Sequence, residues 1–202
     1  MALVLARTEA AVRASLPSLP ALLDVGSCND MWRPLEREFA VTALDLQPAA
    51  PSVWRADFLR LRIGAAGSAV ECEAGSLLSL PAASFHILVL SLVLSYIPDP
   101  AHRAEVVWRA RRLLRDEAGL LLIVTPNSSF GLSPSQASAC VPPIQQEWRR
   151  SIEAMSFERF AIEKQRTATI LAFRCVGECP LEPPPLAPLR IAYDEKRDRQ
   201  LL

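Results

Sequence analysis

The chain carries no net charge: 22 basic residues balance 22 acidic ones over 202 positions. A protein that lives on phosphate contacts shows a basic balance or stripe, so neutrality weighs against a large nucleic-acid footprint. Histidine is scarce, with only His86 and His102. Cys175-x-x-x-Cys179 therefore offers half of a zinc ligand set with no matching pair nearby. No metal cluster and no Ser/His/Asp constellation stands out, so no metal is expected. No apolar run approaches the length of a membrane span, so no membrane partner is expected. The longest, residues 85–96, is strand-length and stops short of Pro98. The opening Met1-Ala-Leu-Val-Leu-Ala-Arg7 is too short for a secretory leader and has no basic stretch before it. The five cysteines (Cys28, Cys72, Cys140, Cys175 and Cys179) are odd in number and scattered. That is the usage of reduced thiols in a cytosolic or nuclear protein.

What the chain does have is a core. Half of its residues are hydrophobic, enough for one domain of ordinary size. Ala21-Leu-Leu-Asp-Val-Gly-Ser-Cys28 reads as a buried strand running into a tight turn. Asp45 ends a second apolar strand, residues 39–45, and Asp57-Phe58 follow a third, residues 53–56. A glycine turn after strand one and an acid closing strand two is how a doubly wound sheet holds a nucleoside cofactor. The glycine lets the backbone approach the ligand, and the acid accepts from both ribose hydroxyls. A pyrophosphate loop wants G-x-G-x-x-G. Here only Gly26 is present and Asp24 sits inside the motif. The pattern favours a cofactor without phosphates, such as S-adenosyl-L-methionine, over NAD.

The rest of the chain alternates. A helix over residues 3–15 is closed by Pro17 and Pro20. Asp30 can cap a helix reaching Arg37, with Pro34 in its first turn. Residues 60–80 are weakly patterned, with Gly64, Gly67 and Gly75, and hold a helix at best. Residues 85–91 form a continuous apolar run, as expected of a central parallel strand. A helix over residues 100–116 places Val106, Val107, Ala110, Leu113 and Leu114 at helical spacing. Strand 120–125, a Ser- and Pro-rich loop over 126–143 and a helix over 147–155 follow. Strands 157–162 and 167–174 are close together and so antiparallel. Alternation of this kind implies right-handed crossovers in a parallel sheet. The expected fold is α/β: a Rossmann-like class I methyltransferase fold, a mostly parallel seven-stranded sheet with a C-terminal antiparallel hairpin. Residues 1–176 are expected to form an S-adenosylmethionine-binding, methyltransferase-like domain. After Gly177 the prolines of 180–188 describe a tail, residues 177–202, that leaves the fold.

Six stretches together resemble one family: Leu22-Leu-Asp-Val-Gly-Ser-Cys28, Leu44-Asp-Leu-Gln-Pro-Ala49, Ala56-Asp-Phe-Leu59, Leu90-Ser-Leu-Val-Leu-Ser-Tyr-Ile-Pro-Asp-Pro100, Leu120-Leu-Leu-Ile-Val-Thr-Pro-Asn127 and Trp148-Arg-Arg-Ser-Ile-Glu153. They are similar to the SAMTOR-type S-adenosylmethionine sensors that restrain the TOR growth kinase complex. The same family holds the fungal 25S ribosomal RNA adenine-N1 methyltransferases. The resemblance covers roughly residues 20–175, and the 91–100 stretch and the Trp148 helix are what narrow it. It implies S-adenosyl-L-methionine as the ligand, held by Asp24, Gly26 and Ser27 at the turn, Asp45 and Leu46 at the ribose, Asp57 and Phe58 at the adenine, and Ser91 at the end of the fourth strand. It implies GATOR- and KICSTOR-type complexes of the TOR pathway as partners of a cytoplasmic sensor. For an enzyme it implies large-subunit rRNA and the nucleolus. The family's helical region ahead of this domain has no counterpart in the roughly twenty residues that precede strand one.

Other residues carry weaker signals. Tyr96 reads equally as a base-stacking aromatic and as a core or lid tyrosine. The D/N-P-P-Y/F motif of amino methylases is absent, and Asp99-Pro100 comes too late to replace it. Arg103, Arg109, Arg111, Arg112 and Arg115 read as a solvated helix face before an RNA-binding stripe. His86 reads as a satisfied core histidine, His102 as a weak general-base candidate, and Trp148 as a packing residue.

Overall fold

Runs of Leu, Val and Ile become central strands because both faces of a parallel sheet are covered. The computed structural model describes residues 19–116, 118–132 and 142–194. Ten strands follow in chain order: β1 (Ala21–Val25), β2 (Ala40–Asp45), β3 (Trp54–Arg55), β4 (Arg62–Gly64), β5 (Glu71–Glu73), β6 (Ser76–Pro81), β7 (Ile87–Ser91), β8 (Leu120–Pro126), β9 (Phe157–Lys164) and β10 (Ala168–Cys175). Three helices are described: the single turn α1 (Val93–Tyr96), α2 (Pro100–Leu113) and α3 (Pro143–Glu153).

All ten strands lie in one sheet, ordered β4-β6-β3-β2-β1-β7-β8-β10-β9, with β5 beside β6. β1 pairs in parallel with β2 and β7, and β7 with β8. β10 lies antiparallel between β8 and β9, which is the expected closing hairpin. The seven expected strands form the contiguous run from β3 to β9. The order reverses between β1 and β7, and that switch point opens the cleft at the carboxyl ends of the strands.

One face of the sheet buries Leu23, Val25, Leu88, Leu90, Leu121 and Ile123 against Val106, Val107 and Ala110 of α2 and Trp148 and Ile152 of α3. Each fully buried leucine of this kind contributes about 1.5–3 kcal/mol. The other face gathers Leu22, Ile87, Val89, Leu122 and Ile170 with Trp32. Asp99 caps α2, its Oδ1 accepting from the Ala101 amide at 2.8 Å, and Pro100 sits in the first turn.

The structure departs from the sequence reading at four places. Residues 60–80 hold β4, β5 and all but the last residue of β6, not a helix, and they widen the sheet beyond β3. Only a 3-10 turn, Arg33–Leu35, forms after Asp30, because the Asp30 carboxylate takes the Ser52 hydroxyl at 2.6 Å and Asp30 itself is left-handed (φ 54°). Arg103 and Arg111 are buried, and Arg109 is half-buried, so three of the five arginines are not a solvated face. The proline-rich segment does not leave the fold: Leu189 and Ile191 are buried, and Leu189 N–H donates to the Pro100 carbonyl at 3.0 Å. The helix expected over residues 3–15 lies outside the described residues.

Candidate functional site

A cavity of about 660 Å³ opens at the switch point. That is within the range of pockets that enclose a small ligand. Gly26 and Cys28 line it from the turn after β1; Leu44, Asp45 and Leu46 from the end of β2 and the residue after it; Asp57 and Phe58 from the loop after β3; Ser91, Val93, Tyr96, Ile97 and His102 from the end of β7, α1, the loop after it and the start of α2. Six of the eight expected site residues, Gly26, Asp45, Leu46, Asp57, Phe58 and Ser91, therefore share one cavity. Asp24 and Ser27 are buried and do not line it.

The turn is bound by its own hydrogen bonds. Gly26 and Ser27 donate their amides to the Leu44 carbonyl at 2.9 and 3.0 Å. The Cys28 amide donates to Asp45 Oδ2 at 3.0 Å, and Gln47 N–H donates to Asp45 Oδ1 at 2.8 Å. Each Asp45 oxygen keeps a second lone-pair direction, so the carboxylate still accepts from a ligand. Gly26 is obligatory twice over. Its φ is +80°, and a Cβ there would lie 2.3 Å from Val93 Cγ2. The close approach is thus to α1, which lets the turn and the far wall meet beneath the cavity. Cys28 and Leu92, both on the wall, also have positive φ (51° and 63°). Non-glycine residues held there store strain of about 1–3 kcal/mol each, a feature that clusters at ligand sites.

On the adenine side expected from the sequence, Asp57 Oδ1 accepts the Leu59 amide at 3.0 Å. Arg109 of α2 holds this loop. Its Nε donates to the Phe58 carbonyl at 2.7 Å, a second nitrogen donates to the Leu61 carbonyl, and its guanidinium lies 5.9 Å from the centre of the Phe58 ring. Sequence reasoning missed this role because an arginine on a helix reads as solvated. Ile97, Pro98 and the amide of Cys28 were missed too; none carries a type signal.

Beneath the turn, Asp24 is fully buried and neither carboxylate oxygen has a hydrogen-bond partner. Ser27 Oγ and Trp32 Nε1 lie beside it but stop short of hydrogen-bond geometry. Burial, opposed by these donors and reinforced by Asp30 and Asp45, raises its pKa from 3.8 to about 6. Such a group is neutralised at small energetic cost and strongly favours a cation nearby.

Of the weaker candidates, Tyr96 is 82% exposed at the cavity rim, which removes the core reading. His102 is on the wall, 3.8 Å from Asp99. His86 Nδ1 accepts the Ala21 amide at 3.1 Å, so it is a satisfied buried histidine. Trp148 packs edge-to-face on Phe130, with centroids 5.3 Å apart. Cys175 is buried and its thiol is pushed up to about 12 by desolvation. Among the described residues no three His, Cys, Asp or Glu side chains converge as metal ligands, and no helix is long and apolar enough to cross a membrane.

A sequence model of the family described as "25S rRNA (adenine(2142)-N(1))-methyltransferase, Bmt2" matches residues 4–134. The chain belongs to the Bmt2 family. Curated relatives include the "S-adenosylmethionine sensor upstream of mTORC1" of Danio rerio, 35% identical over 164 residues, and that of Xenopus tropicalis, 37% identical over 161. The matches take in 77% and 76% of this chain but only 39% and 38% of the relatives. This Bmt2-family chain thus spans about two fifths of the length of the curated relatives it matches. Solved structures agree on the fold. A structure from Galdieria sulphuraria, described as a "putative sarcosine dimethylglycine methyltransferase", superposes with a TM-score of 0.54 at 12% identity, covering 85% of this chain and 83% of that one. A Burkholderia thailandensis 1,6-didemethyltoxoflavin-N1-methyltransferase, solved with S-adenosylhomocysteine, gives 0.52 at 17%, covering 84% and 77%. The class I methyltransferase architecture is therefore secure.

Proposed function

We propose that this domain binds S-adenosylmethionine in the switch-point cavity and serves as the ligand-reading part of a TOR-pathway sensor. The observation that carries the ligand class is the turn after β1. A dinucleotide site needs free backbone amides at a helix N-terminus for pyrophosphate. Here the amides of Gly26, Ser27 and Cys28 are all consumed internally, by the Leu44 carbonyl and Asp45. Only the 3-10 turn at Arg33–Leu35 follows before β2. The site rejects phosphates and offers acids instead, which suits a ligand with a ribose, an amine and a sulfonium.

The residues fit that ligand. Asp45 accepts from the ribose hydroxyls with its unused lone pairs. Asp57 accepts from the adenine amino group and the Phe58 amide donates to the ring. Gly26 and Ser91 border the methionyl portion, and Asp24 and Ser27 support the turn from below with an unpaired negative group. The bound group supplies an activated methyl; in a sensor that methyl is simply carried. Binding then shifts the population of a partner-competent state. GATOR- and KICSTOR-type complexes in the cytoplasm are the corresponding partners.

The sensor reading is supported by the relatives' printed function and by the absence of surplus charge. A second reading, adenine-N1 methylation of large-subunit rRNA in the nucleolus, is favoured by one observation. Tyr96 stands exposed at the cavity rim, where an extruded base would stack. Calorimetry with S-adenosylmethionine and S-adenosylhomocysteine tests the shared claim; folded protein giving no heat with either refutes it. Radiolabelled cofactor with undermethylated large-subunit RNA separates the branches. Stoichiometric label in one adenine, abolished by Gly26→Asp, makes the enzyme primary.

A further inference from the structure

The segment over residues 186–194 ends on a buried ion pair. Arg103 of α2 is 1% exposed and Asp194 is 5% exposed. The Arg103 fork meets Asp194 at 2.5 Å (Nη1 to Oδ2) and 3.2 Å (Nη2 to Oδ1). The same guanidinium donates to the carbonyls of Leu94 (3.1 Å), Ile97 (2.8 Å) and Pro98 (3.2 Å), and to that of Leu189 (3.0 Å). The first three carbonyls belong to the segment that presents Leu92, Val93, Tyr96, Ile97 and Pro98 to the cavity. One side chain therefore ties the C-terminal segment to the cavity's far wall, across about ninety residues of sequence. Trp148 Nε1 adds a bond to the Arg190 carbonyl at 2.6 Å. Buried Leu189 and Ile191 complete the docking.

We propose that residues 186–194 act as a strap whose docking and the closed cavity wall are one two-state element, so that cavity occupancy is read out at the strap. This rests on the S-adenosylmethionine reading of the cavity. The physical reason is the cost of an orphaned charge. If the strap lifts, Arg103 is left buried without its carboxylate, and that state is strongly disfavoured. The guanidinium must then move toward water, and the carbonyls of Leu94, Ile97 and Pro98 lose their donor. The wall loosens with the strap. Ligand that packs on the wall favours the docked strap by the same factor by which docking favours ligand. Arg103 is a positioning residue here: it touches the wall's backbone and not the ligand.

The test uses the full chain. S-adenosylmethionine affinity is measured by calorimetry for wild type, Asp194→Asn and Trp148→Phe, with circular dichroism to confirm folding. Amide exchange is followed at Leu189 and Asp194, whose N–H groups bond the Pro100 and Ile191 carbonyls, and at Leu92 on the wall, bonded to Val124. Asp194→Asn is expected to weaken ligand binding about tenfold, a mid-range coupling. Trp148→Phe, which keeps the Phe130 contact, shifts affinity the same way by less. Saturating ligand slows exchange at Leu189 and Asp194 in wild type, and Leu92 exchange rises in ligand-free Asp194→Asn. Wild type that binds ligand with unchanged strap exchange overturns the coupling alone. So does a folded Asp194→Asn with native affinity. Wild type that binds no ligand overturns the cavity reading, and the coupling with it. Should Asp194→Asn fail to fold, wild-type exchange and Trp148→Phe decide.

Discussion

Replacing Asp24 by asparagine should stabilise the ligand-free protein at neutral pH. In the unfolded chain this carboxyl ionises near its ordinary 3.8; in the folded protein burial holds it back to about 6. Between those values the folded state binds more protons than the unfolded one, so stability falls as pH rises. Below 3.8 both states are protonated and nothing is lost. Above 6 the loss is complete and amounts to about 3 kcal/mol at most, taking about 1.4 kcal/mol per pKa unit. An asparagine has no charge to bury, and its carbonyl can still face the Ser27 and Trp32 donors. Asp24→Asn should therefore match wild type near pH 3.5 and exceed it at pH 7. For a chain of this size 1 kcal/mol moves Tm by roughly 2–4 °C, so the neutral-pH gain is up to roughly 6–12 °C. Thermal unfolding followed by circular dichroism from pH 3.5 to 8 measures it. Parallel profiles for the two proteins, or a less stable variant at pH 7, would show that Asp24 is not an uncompensated charge. Calorimetry on the same variant should show weaker S-adenosylmethionine binding, since the destabilising group is the one that favours a cationic ligand.

Asp45→Ala removes the acceptor for two turn amides and for the ribose. Binding should weaken by about 1.5–3 kcal/mol per charged hydrogen bond lost, read by calorimetry, and near-native affinity would remove Asp45 from the site. Gly26→Ala meets both a positive φ and Val93; it should lower Tm and abolish binding, with Gly26→Ala/Val93→Ala recovering part of the stability. His86 has its pKa lowered by burial and then by Arg115. A depressed histidine contributes stability that is present above its ordinary value and lost as pH falls below about 6.5. His86→Gln should flatten that acid slope in denaturant titrations between pH 7 and 5, and an unchanged slope would assign it elsewhere.

The sheet was legible where a strand carries its own signal. β7 and β8 are nearly continuous apolar runs, and β1 is one broken only by Asp24, because each is hydrogen-bonded on both sides and covered on both faces. β4 and β5 were illegible because three-residue strands have no period to read, and Gly64, Gly67 and Gly75 resemble loop punctuation. Their pairing with β6 is decided by neighbours in space. The strap was hidden by Pro183, Pro184, Pro185 and Pro188, which suggest a departing tail. A signal did exist: Leu189 and Ile191 alternate with Arg190, the mark of a segment with one buried face.

At the cavity, a turn glycine and two acids at strand ends singled out Gly26, Asp45 and Asp57, and the resemblance singled out Ser91; all four line the one cavity. Residue type failed for the arginines. Helical periodicity sorts residues by type, and it places any arginine outside unless a partner is known. The partners of Arg103 and Arg109 are backbone carbonyls and one distant carboxylate, none of which a periodic pattern contains. The two arginines nonetheless hold two segments that line one cavity: Arg109 the Phe58 loop, Arg103 the Leu94–Pro98 segment. Both sit on α2, six residues apart. One helix thus anchors both segments, using charge directed at backbone carbonyls. That arrangement explains why α2 keeps charged side chains on its inner face, where apolar ones would pack more cheaply.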